Sequence, residues 1–427
     1  MPLLLSVLAA ALLSGQTTVS GQDTVSIYEC YREAEANYPL RRQLDLFGSS
    51  SSLKTANLGK NYLPSVNING SASLQSAVTE VAIDLPQGLP ELAMPEISKD
   101  WYKVTLDINQ AIYDGNVTRY QKKVETYNLQ ADRKAVEVEL YKLRDRVNQL
   151  YFSIVLLQQN SRLLLLNRER LEARLKETES GIRNGAVLEM NADLLRAELA
   201  RIAQQVAENE TDRAVTVNML SELTGISMTP GSAFSVPDVS LPGTEYENRR
   251  PENELFDIQR SRLDIQRSMI TTKWNPKFFA YGQVGYGRPG LNMLDNSFRP
   301  WWLFGAKLTW NPWNWNQNKN EKQILSVQSD ILRAQQETFD KNLRITSRKE
   351  LGEIAKYAEM LPQDEGIIEL RAKITRTAAS QLDNGVITSS DYIARLNEET
   401  QARLSLEIHR VQLVRAKLNY LYTQGKL

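Results

Sequence analysis

One alternating stretch decides the fold, and it reads Tyr102, Lys103, Val104, Thr105, Leu106, Asp107, Ile108 and Asn109. Apolar and polar residues take turns without a break, which is typical of a β-strand with one apolar and one polar face. A second alternating run begins at Val66, and a loop that contains several prolines separates the two runs. The sequence therefore predicts a hairpin with strands at 62–76 and 101–113.

Much of the chain occurs twice. Residues 39–70 align with residues 251–282 without a gap, so that four pairs of turn-forming or charged residues coincide: Pro39 with Pro251, Asp45 with Asp257, Pro64 with Pro276, and Gly70 with Gly282. The second copy also contains two alternating runs, which predict strands at 275–288 and 300–312. We therefore expect an internal duplication, with a first structural repeat at 23–225, a linker at 226–250 and a second repeat at 251–427.

A helix of unusual length is predicted after each hairpin, at 116–182 and at 317–382, followed by return helices at 189–224 and 388–423. The first carries apolar residues at alternating steps of four and three, which is the pattern of a coiled-coil seam: Val136, Leu140, Leu143, Val147, Leu150, Ile154 and Leu157. Gly352 and Pro362 fall inside the second long helix. We expect a break or a short side element there, because proline removes a helical hydrogen bond.

Composition excludes several classes of protein. The 427 residues include 51 acidic and 51 basic side chains, so the whole chain has no charge excess that would favour nucleic acid. Cys30 is the single cysteine and His409 the single histidine, so neither an intramolecular disulfide nor a metal cluster is expected. We find no nucleophile with a base and no phosphate-binding loop, which predicts a protein that is not an enzyme and has no cofactor. Residues 1–22 predict a signal peptide.

A single alternating run usually belongs to a soluble sheet, but three features here favour a membrane. The polar positions carry residues suited to a wet lumen, the apolar positions recur in all four strands, and all seven tryptophans lie in or beside the strands. The strand residues expected to face lipid are Val66, Ile68, Val104, Leu106, Ile108, Phe304 and Leu308. The residues expected in an aromatic girdle are Trp101, Trp274, Trp301, Trp302, Trp310 and Trp313.

Four strands cannot close a barrel, and an open sheet edge in lipid leaves unpaired backbone groups. Strands in the membrane would therefore require an oligomer. Three copies would supply twelve strands, although the residues alone do not fix that number.

The order of these segments resembles the TolC-like outer-membrane efflux protein family. Two motifs carry the resemblance within the duplicated pattern, one at Gln110–Gly115 after the second strand and one at Asn384–Asp391 at the second helix tip. The resemblance implies an α+β membrane protein and a homotrimer, in which four strands per chain form a twelve-stranded β-barrel continuous with a long α-helical coiled-coil tunnel. It places the chain in outer-membrane lipid of a Gram-negative bacterium, with most of its mass in the periplasm.

The same resemblance implies an exit duct of a tripartite efflux or secretion system. Such a duct is a passive conduit, gated at its periplasmic helical tip, and it works with a periplasmic adaptor (membrane fusion) protein and an inner-membrane transporter. The resemblance leaves the cargo open, because the pump selects it.

By resemblance, Asp391 falls at the periplasmic constriction, and Asp193 is its approximate counterpart in the first copy. Both have a simpler interpretation as first-turn carboxylates that stabilise a helix N-terminus. The tips that would dock the adaptor are the two Asn-Gly pairs, Asn184, Gly185, Asn384 and Gly385. A helix that ends in a left-handed glycine explains the pairs equally well.

Two other classes of function remain open from the residues. The chain could be a soluble or surface coiled-coil structural protein whose strands form a small capping sheet. It could also be an enzyme or a sugar-binding barrel, but the missing catalytic constellation counts against that alternative.

Overall fold

The computed structural model describes residues 24–79, 97–241, 243 and 245–427. The predicted signal peptide and most of the loop of the first hairpin lie outside these residues. Seven α-helices are described: α1 Ile27–Asn37, α2 Gln43–Gly59, α3 Val117–Arg183, α4 Glu189–Thr224, α5 Pro251–Thr271, α6 Gln317–Asp383 and α7 Ser389–Gln424. Four strands are described: β1 Ser65–Leu74, β2 Asp100–Tyr113, β3 Lys277–Arg288 and β4 Arg299–Thr309.

The four strands form one antiparallel sheet in the order β1-β2-β3-β4. The two hairpins therefore lie side by side, joined by the pairing of β2 with β3, in which Leu106 is opposite Val284. A register shift between Ala111 and Tyr113 interrupts this central pair near one end. Among the described strands, β1 and β4 each have one edge without a partner.

The sheet belongs to a compact unit made of Asp45–Arg133 and Leu255–Ala334. The turn from β2 into α3 is made by Gly115 and Asn116, both with left-handed backbone (φ of 75° and 71°). The Asp114 carboxylate accepts the backbone N–H of Thr118 at 2.7 Å, which satisfies a free donor of the first turn of α3.

The corresponding turn of the second copy uses different residues. Trp315 and Asn316 adopt positive φ angles of 52° and 61°, and α6 begins directly afterwards. The second copy therefore makes this turn without a glycine.

The second unit comprises the described residues up to Leu44, together with Lys134–Glu254 and Gln335–Leu427. Its larger core gathers Tyr151, Phe152 and Ile154 of α3 with Leu418 of α7. Most of the predicted seam of α3 is buried, including Val136, Leu140, Leu143, Val147 and Ile154.

Residues 226–250 contain no helix or strand in their described part, yet they pack against this core. Phe234 is buried and pairs with Val25 in an isolated β-bridge. The Tyr151 hydroxyl lies 2.7 Å from the carbonyl oxygen of Val25 and 2.8 Å from that of Ser235. The segment is therefore a packed part of this unit.

The predicted break in the second long helix is wrong, because α6 continues through Gly352 and Pro362. Pro362 is exposed, so the carbonyl group that loses its helical partner can bond to water. Just beyond it, Asp364 contacts His409 of α7 at 2.6 Å. This contact joins α6 to α7 two residues beyond the proline.

No helix in the described part of the chain is long and apolar enough to cross a membrane. Within the same residues, no group of three or more histidine, cysteine, aspartate or glutamate side chains could hold a metal ion. Cys30 is fully buried in α1.

Candidate functional site

The strand register separates the sheet into two chemically different faces. Directly opposed residues of antiparallel strands point to the same side, and the register joins Ile68 to Leu106, Leu106 to Val284, and Val284 to Trp302. All seven strand residues predicted to face lipid share this side, which we call the apolar face: Val66, Ile68, Val104, Leu106, Ile108, Phe304 and Leu308. Much of the face is open, with Ile68 77% and Phe304 65% exposed.

The opposite side, which we call the polar face, carries the other residues of the alternation. At its centre the Asp107 carboxylate accepts hydrogen bonds from the side-chain amides of Asn69 and Gln283, each at 2.5 Å. The Thr105 hydroxyl donates a third at 3.1 Å. This network joins β1, β2 and β3 on the polar face.

Aromatic rings gather at the end of the apolar face where the hairpin loops begin. Phe298 stacks on Tyr286 with ring centroids 5.8 Å apart and lies 6.4 Å from Tyr102. Trp302 lies 5.5 Å from Phe304 on the same face. The rings of Phe298, Tyr286 and Tyr102 were not predicted as part of a girdle, because that prediction rested on tryptophans alone. Both tyrosines nevertheless continue the apolar series of their strands.

Two residues of the predicted girdle lie on the wrong face. Trp101 is opposite Ser73 and Trp301 is opposite Gly285, so both belong to the polar face. They cannot share a lipid-facing ring with Trp302, because neighbouring strand residues point to opposite sides. Strand alternation alone already implied this, since Trp301 and Trp302 are consecutive residues of one strand.

The remaining predicted girdle residues flank the other end of the second hairpin. Trp274 precedes β3, and its carbonyl oxygen accepts the indole N–H of Trp310 at 3.1 Å. Trp313 follows β4 and meets Trp315 edge to face, with centroids 5.7 Å apart. The three predicted tryptophans here are exposed, by 44% to 67%. An interfacial role for them stays a prediction.

Both predicted helix tips end in the same hydrogen-bonded motif. Gly185 and Gly385 have φ angles of 71° and 68°, the left-handed region that glycine tolerates best. The N–H of Gly185 bonds to the carbonyl of Ile182, and the next N–H bonds to that of Gly181. The second tip repeats this pattern, so the left-handed glycine interpretation is confirmed for both Asn-Gly pairs.

Asp391 lies in the first turn of α7 and closes a capping box. Its carboxylate accepts the backbone N–H of Thr388 at 3.0 Å, while the Thr388 hydroxyl accepts the N–H of Asp391 at 3.3 Å. The Thr388 hydroxyl also donates to this carboxylate at 2.7 Å, and this hydrogen bond together with the one from the Thr388 backbone N–H lowers the pKa of Asp391. Asp193 instead forms an exposed ion pair with Arg196 at 3.0 Å, and Arg196 also pairs with Glu179. The two aspartates therefore have different local roles.

A buried arginine joins three helices close to these tips. Arg174 of α3 contacts the carboxylates of Asp383 and Glu177, and its guanidinium lies 5.1 Å from the ring centroid of Tyr392. One turn earlier, Arg170 pairs with Glu399 of α7 at 3.1 Å. No sequence signal identified these contacts, because they connect positions more than 200 residues apart.

Glu399 is nearly inaccessible to solvent at 2% exposure. Burial alone would raise the pKa of this carboxyl, but hydrogen bonds from Arg403 and Arg170 outweigh it and lower the pKa. The carboxylate is therefore charged at neutral pH and holds α7 to α3 through Arg170.

No protein-family model and no curated protein sequence matches the chain significantly. Solved structures do match over nearly its whole length. The CmeC outer membrane channel of Campylobacter jejuni is 14% identical, with 94% of this chain and 85% of that chain covered, at a TM-score of 0.65. The outer membrane protein VceC of Vibrio cholerae is 12% identical, with 93% and 96% covered, at 0.65. The outer-membrane channel OprN is 16% identical, with 94% and 90% covered, at 0.68.

At these identities the similarity concerns the fold. The similar structures are bacterial channel proteins, and the resemblance seen in the sequence motifs points to the same group. The chain therefore has the fold of the TolC-like outer-membrane channels.

Proposed function

We propose that this protein is an outer-membrane exit duct of a tripartite efflux or secretion system. The observation that carries the proposal is the apolar face of the sheet, which is continuous across all four strands and largely exposed. The fold of known outer-membrane channels supports the same function.

The alternative of a soluble protein with a small capping sheet does not account for this face. Soluble monomers rarely expose contiguous apolar patches larger than a few hundred Å², because such surface drives association. Ile68, Leu74, Trp302 and Phe304 are each more than 60% exposed on the same side. Outer-membrane lipid is the partner that suits a broad apolar sheet whose opposite side is polar.

Closure of the sheet is the second step of the proposal. The free edges of β1 and β4 would leave backbone groups unpaired in lipid, which is costly. In a homotrimer, β4 of one copy pairs with β1 of the next, and twelve strands form a closed barrel with the polar face inside. The internal duplication then gives each chain two similar hairpins in one wall.

The helical tips are the proposed site of gating and docking. The adaptor protein binds around Asn184, Gly185, Asn384 and Gly385, where both helix pairs turn. Arg174 and the Arg170–Glu399 pair tie α3 to the second helix pair, and we assign them the role of holding the resting arrangement. Opening the tip requires these contacts to be exchanged for others.

Asp391 is the proposed acidic group of the constriction, with Asp193 as its partner from the first copy. The duct breaks no bond and needs no cofactor. An inner-membrane transporter supplies the energy, and most of the protein lies in the periplasm.

Site-directed spin labelling tests the lipid-facing assignment. A cysteine at Ile68 should report hydrocarbon, and a cysteine at the adjacent Asn69 should report water, because the two residues point to opposite faces. The native Cys30 does not interfere, since it is fully buried and burial raises the pKa of its thiol to about 12. Extraction of the protein from membranes without detergent, or water at both labels, would contradict the proposal.

A further inference from the structure

Two indole rings lie on the polar face, where the register also places Phe279, Tyr281 and Leu303 of the second hairpin. Trp301 crosses over the neighbouring strand, so that a Cβ atom added to Gly285 would lie 2.4 Å from the ring carbon Cε2. The ring therefore lies across β3 and depends on a glycine beneath it. Trp301 and Trp101 are both half-buried, and each has ring surface open to solvent.

A lysine lies on the polar face of β2, two residues after Trp101. The Cγ atom of Lys103 covers Gly287 of β3, 3.1 Å from where a Cβ atom would stand. Its ammonium nitrogen is 5.0 Å from the ring centroid of Trp101, which is within the range of a cation–π contact. Two glycines on β3 thus make room for a Trp–Lys–Trp group, which we call the indole–lysine cluster: Trp101, Lys103 and Trp301.

The polar face as a whole carries more cationic than acidic strand residues, and Lys103 is the lysine that lies within the cluster. By register the strand residues of this face include four cationic side chains and one carboxylate: Lys103, Lys277, Arg299, Lys307 and Asp107. Within the described residues, no carboxylate lies within ion-pair distance of any of the three lysines, whereas Arg299 pairs with Asp295. The single acid, Asp107, is held by the hydrogen bonds from Asn69, Gln283 and Thr105.

We propose that the indole–lysine cluster is a transit site for planar aromatic anions. This inference rests on the proposed duct, in which the polar face lines the lumen. An aromatic ring stacks on the indoles, while its acidic group pairs with the ammonium group of Lys103. Aromatic cations cannot pair with Lys103, and aliphatic anions cannot stack on the indoles. The site therefore favours molecules that have both a negative charge and an aromatic ring.

Block of single-channel current in planar bilayers tests this selection with full-length purified protein. The probe is 2-naphthalenesulfonate, and cyclohexanesulfonate is the matched anion without an aromatic ring. Naphthalenesulfonate should block the current to the same extent as cyclohexanesulfonate at a concentration at least about fivefold lower. Stacking one ring on an aromatic side chain strengthens binding by about that factor or more. Trp301→Ala should remove this difference, and Lys103→Gln should weaken block by both anions.

Trp302→Ala is the control, because Trp302 is the next residue but lies on the apolar face. It should leave the block unchanged. Equal block by both anions in the wild-type channel, or the same loss in Trp301→Ala and Trp302→Ala, would overturn the proposed transit site. Unaltered block by naphthalenesulfonate in a conducting Trp301→Ala channel would also overturn it, because the indole ring would then only fill the space above Gly285. Absence of any conductance in the wild type would instead refute the duct itself.

Discussion

The side-chain oxygen of Asn191 accepts the backbone N–H of Ser389 at 3.2 Å, so the first turn of α4 caps the first turn of α7. The two residues belong to different helix pairs and are 198 positions apart. Ser389 is fully buried at this contact. A side chain of one tip therefore satisfies a backbone N–H in the first turn of the other tip, where helices have no partner of their own.

Asn191→Ala should destabilise the second tip by about 1 kcal/mol, the usual cost of losing a capping side chain. Hydrogen exchange measured by mass spectrometry should show faster exchange at the start of α7. Glu189→Ala is the control, because Glu189 is an exposed first-turn residue of α4. Equal exchange in both variants would show that the contact does not stabilise α7.

Asp391 can act through its negative charge or as a helix cap, and two variants separate these functions. Asp391→Asn removes the charge but keeps an oxygen that can accept the N–H of Thr388. If Asp391 restricts the entrance, this variant should weaken the block of bilayer current by multivalent cations and keep the wild-type thermal midpoint. Asp391→Ala should weaken the block and also lower the midpoint. Unchanged block and unchanged conductance in both variants would leave Asp391 as a helix cap only.

Arg174→Met should loosen the tip, because it removes a buried guanidinium that contacts α6 and α7 together. We expect a loss of about 1–3 kcal/mol in stability, typical of a charged hydrogen bond, and a higher single-channel conductance. Arg168→Met is the matched control on the same helix, since its ion pair with Glu172 is exposed and should matter little. Equal conductance in both variants would contradict a role of Arg174 in holding the tip closed.

We expect Glu350 of α6 to give folding stability an unusual pH dependence. Burial raises the pKa of its carboxyl to about 7, and the negative charges of Glu353 and Asp145 act in the same direction. The positive charges of Lys349 and Arg415 oppose this rise. The folded protein therefore holds a proton that the unfolded chain has lost above about pH 4.3. Folding stability should fall as the pH rises from there to 7, by up to about 1.4 kcal/mol per pH unit.

Glu350→Gln should flatten this dependence and raise the thermal midpoint at pH 8, since the amide needs no proton to remain neutral. Thermal unfolding in detergent across pH 5–8 would measure it. Glu353→Gln, at a less buried position of the same helix, should reduce the slope only partly. A wild-type midpoint that does not fall across this range would refute the buried protonated carboxyl.

Periodicity predicted the parts of this fold that repeat along the chain. The apolar series through Ile68 and Leu106 predicted that the two residues share one face, and the register places them opposite each other because strand side chains alternate strictly. Trp101 and Trp301 were assigned by residue type instead, and that assignment was wrong. Pro362 was expected to break α6, but α6 continues through this exposed proline and contacts α7 two residues beyond it. Contacts such as Asn191 with Ser389 connect residues that share no local pattern, so only the folded chain shows them.

In the proposed assembly, one chain supplies a third of a closed membrane barrel. The mass of the protein solubilised in detergent, measured by light scattering with correction for bound detergent, tests it most directly. A protein mass three times that of the chain is the predicted result, because the edges of β1 and β4 must be paired. A stable monomer that keeps its folded sheet in detergent would contradict the account.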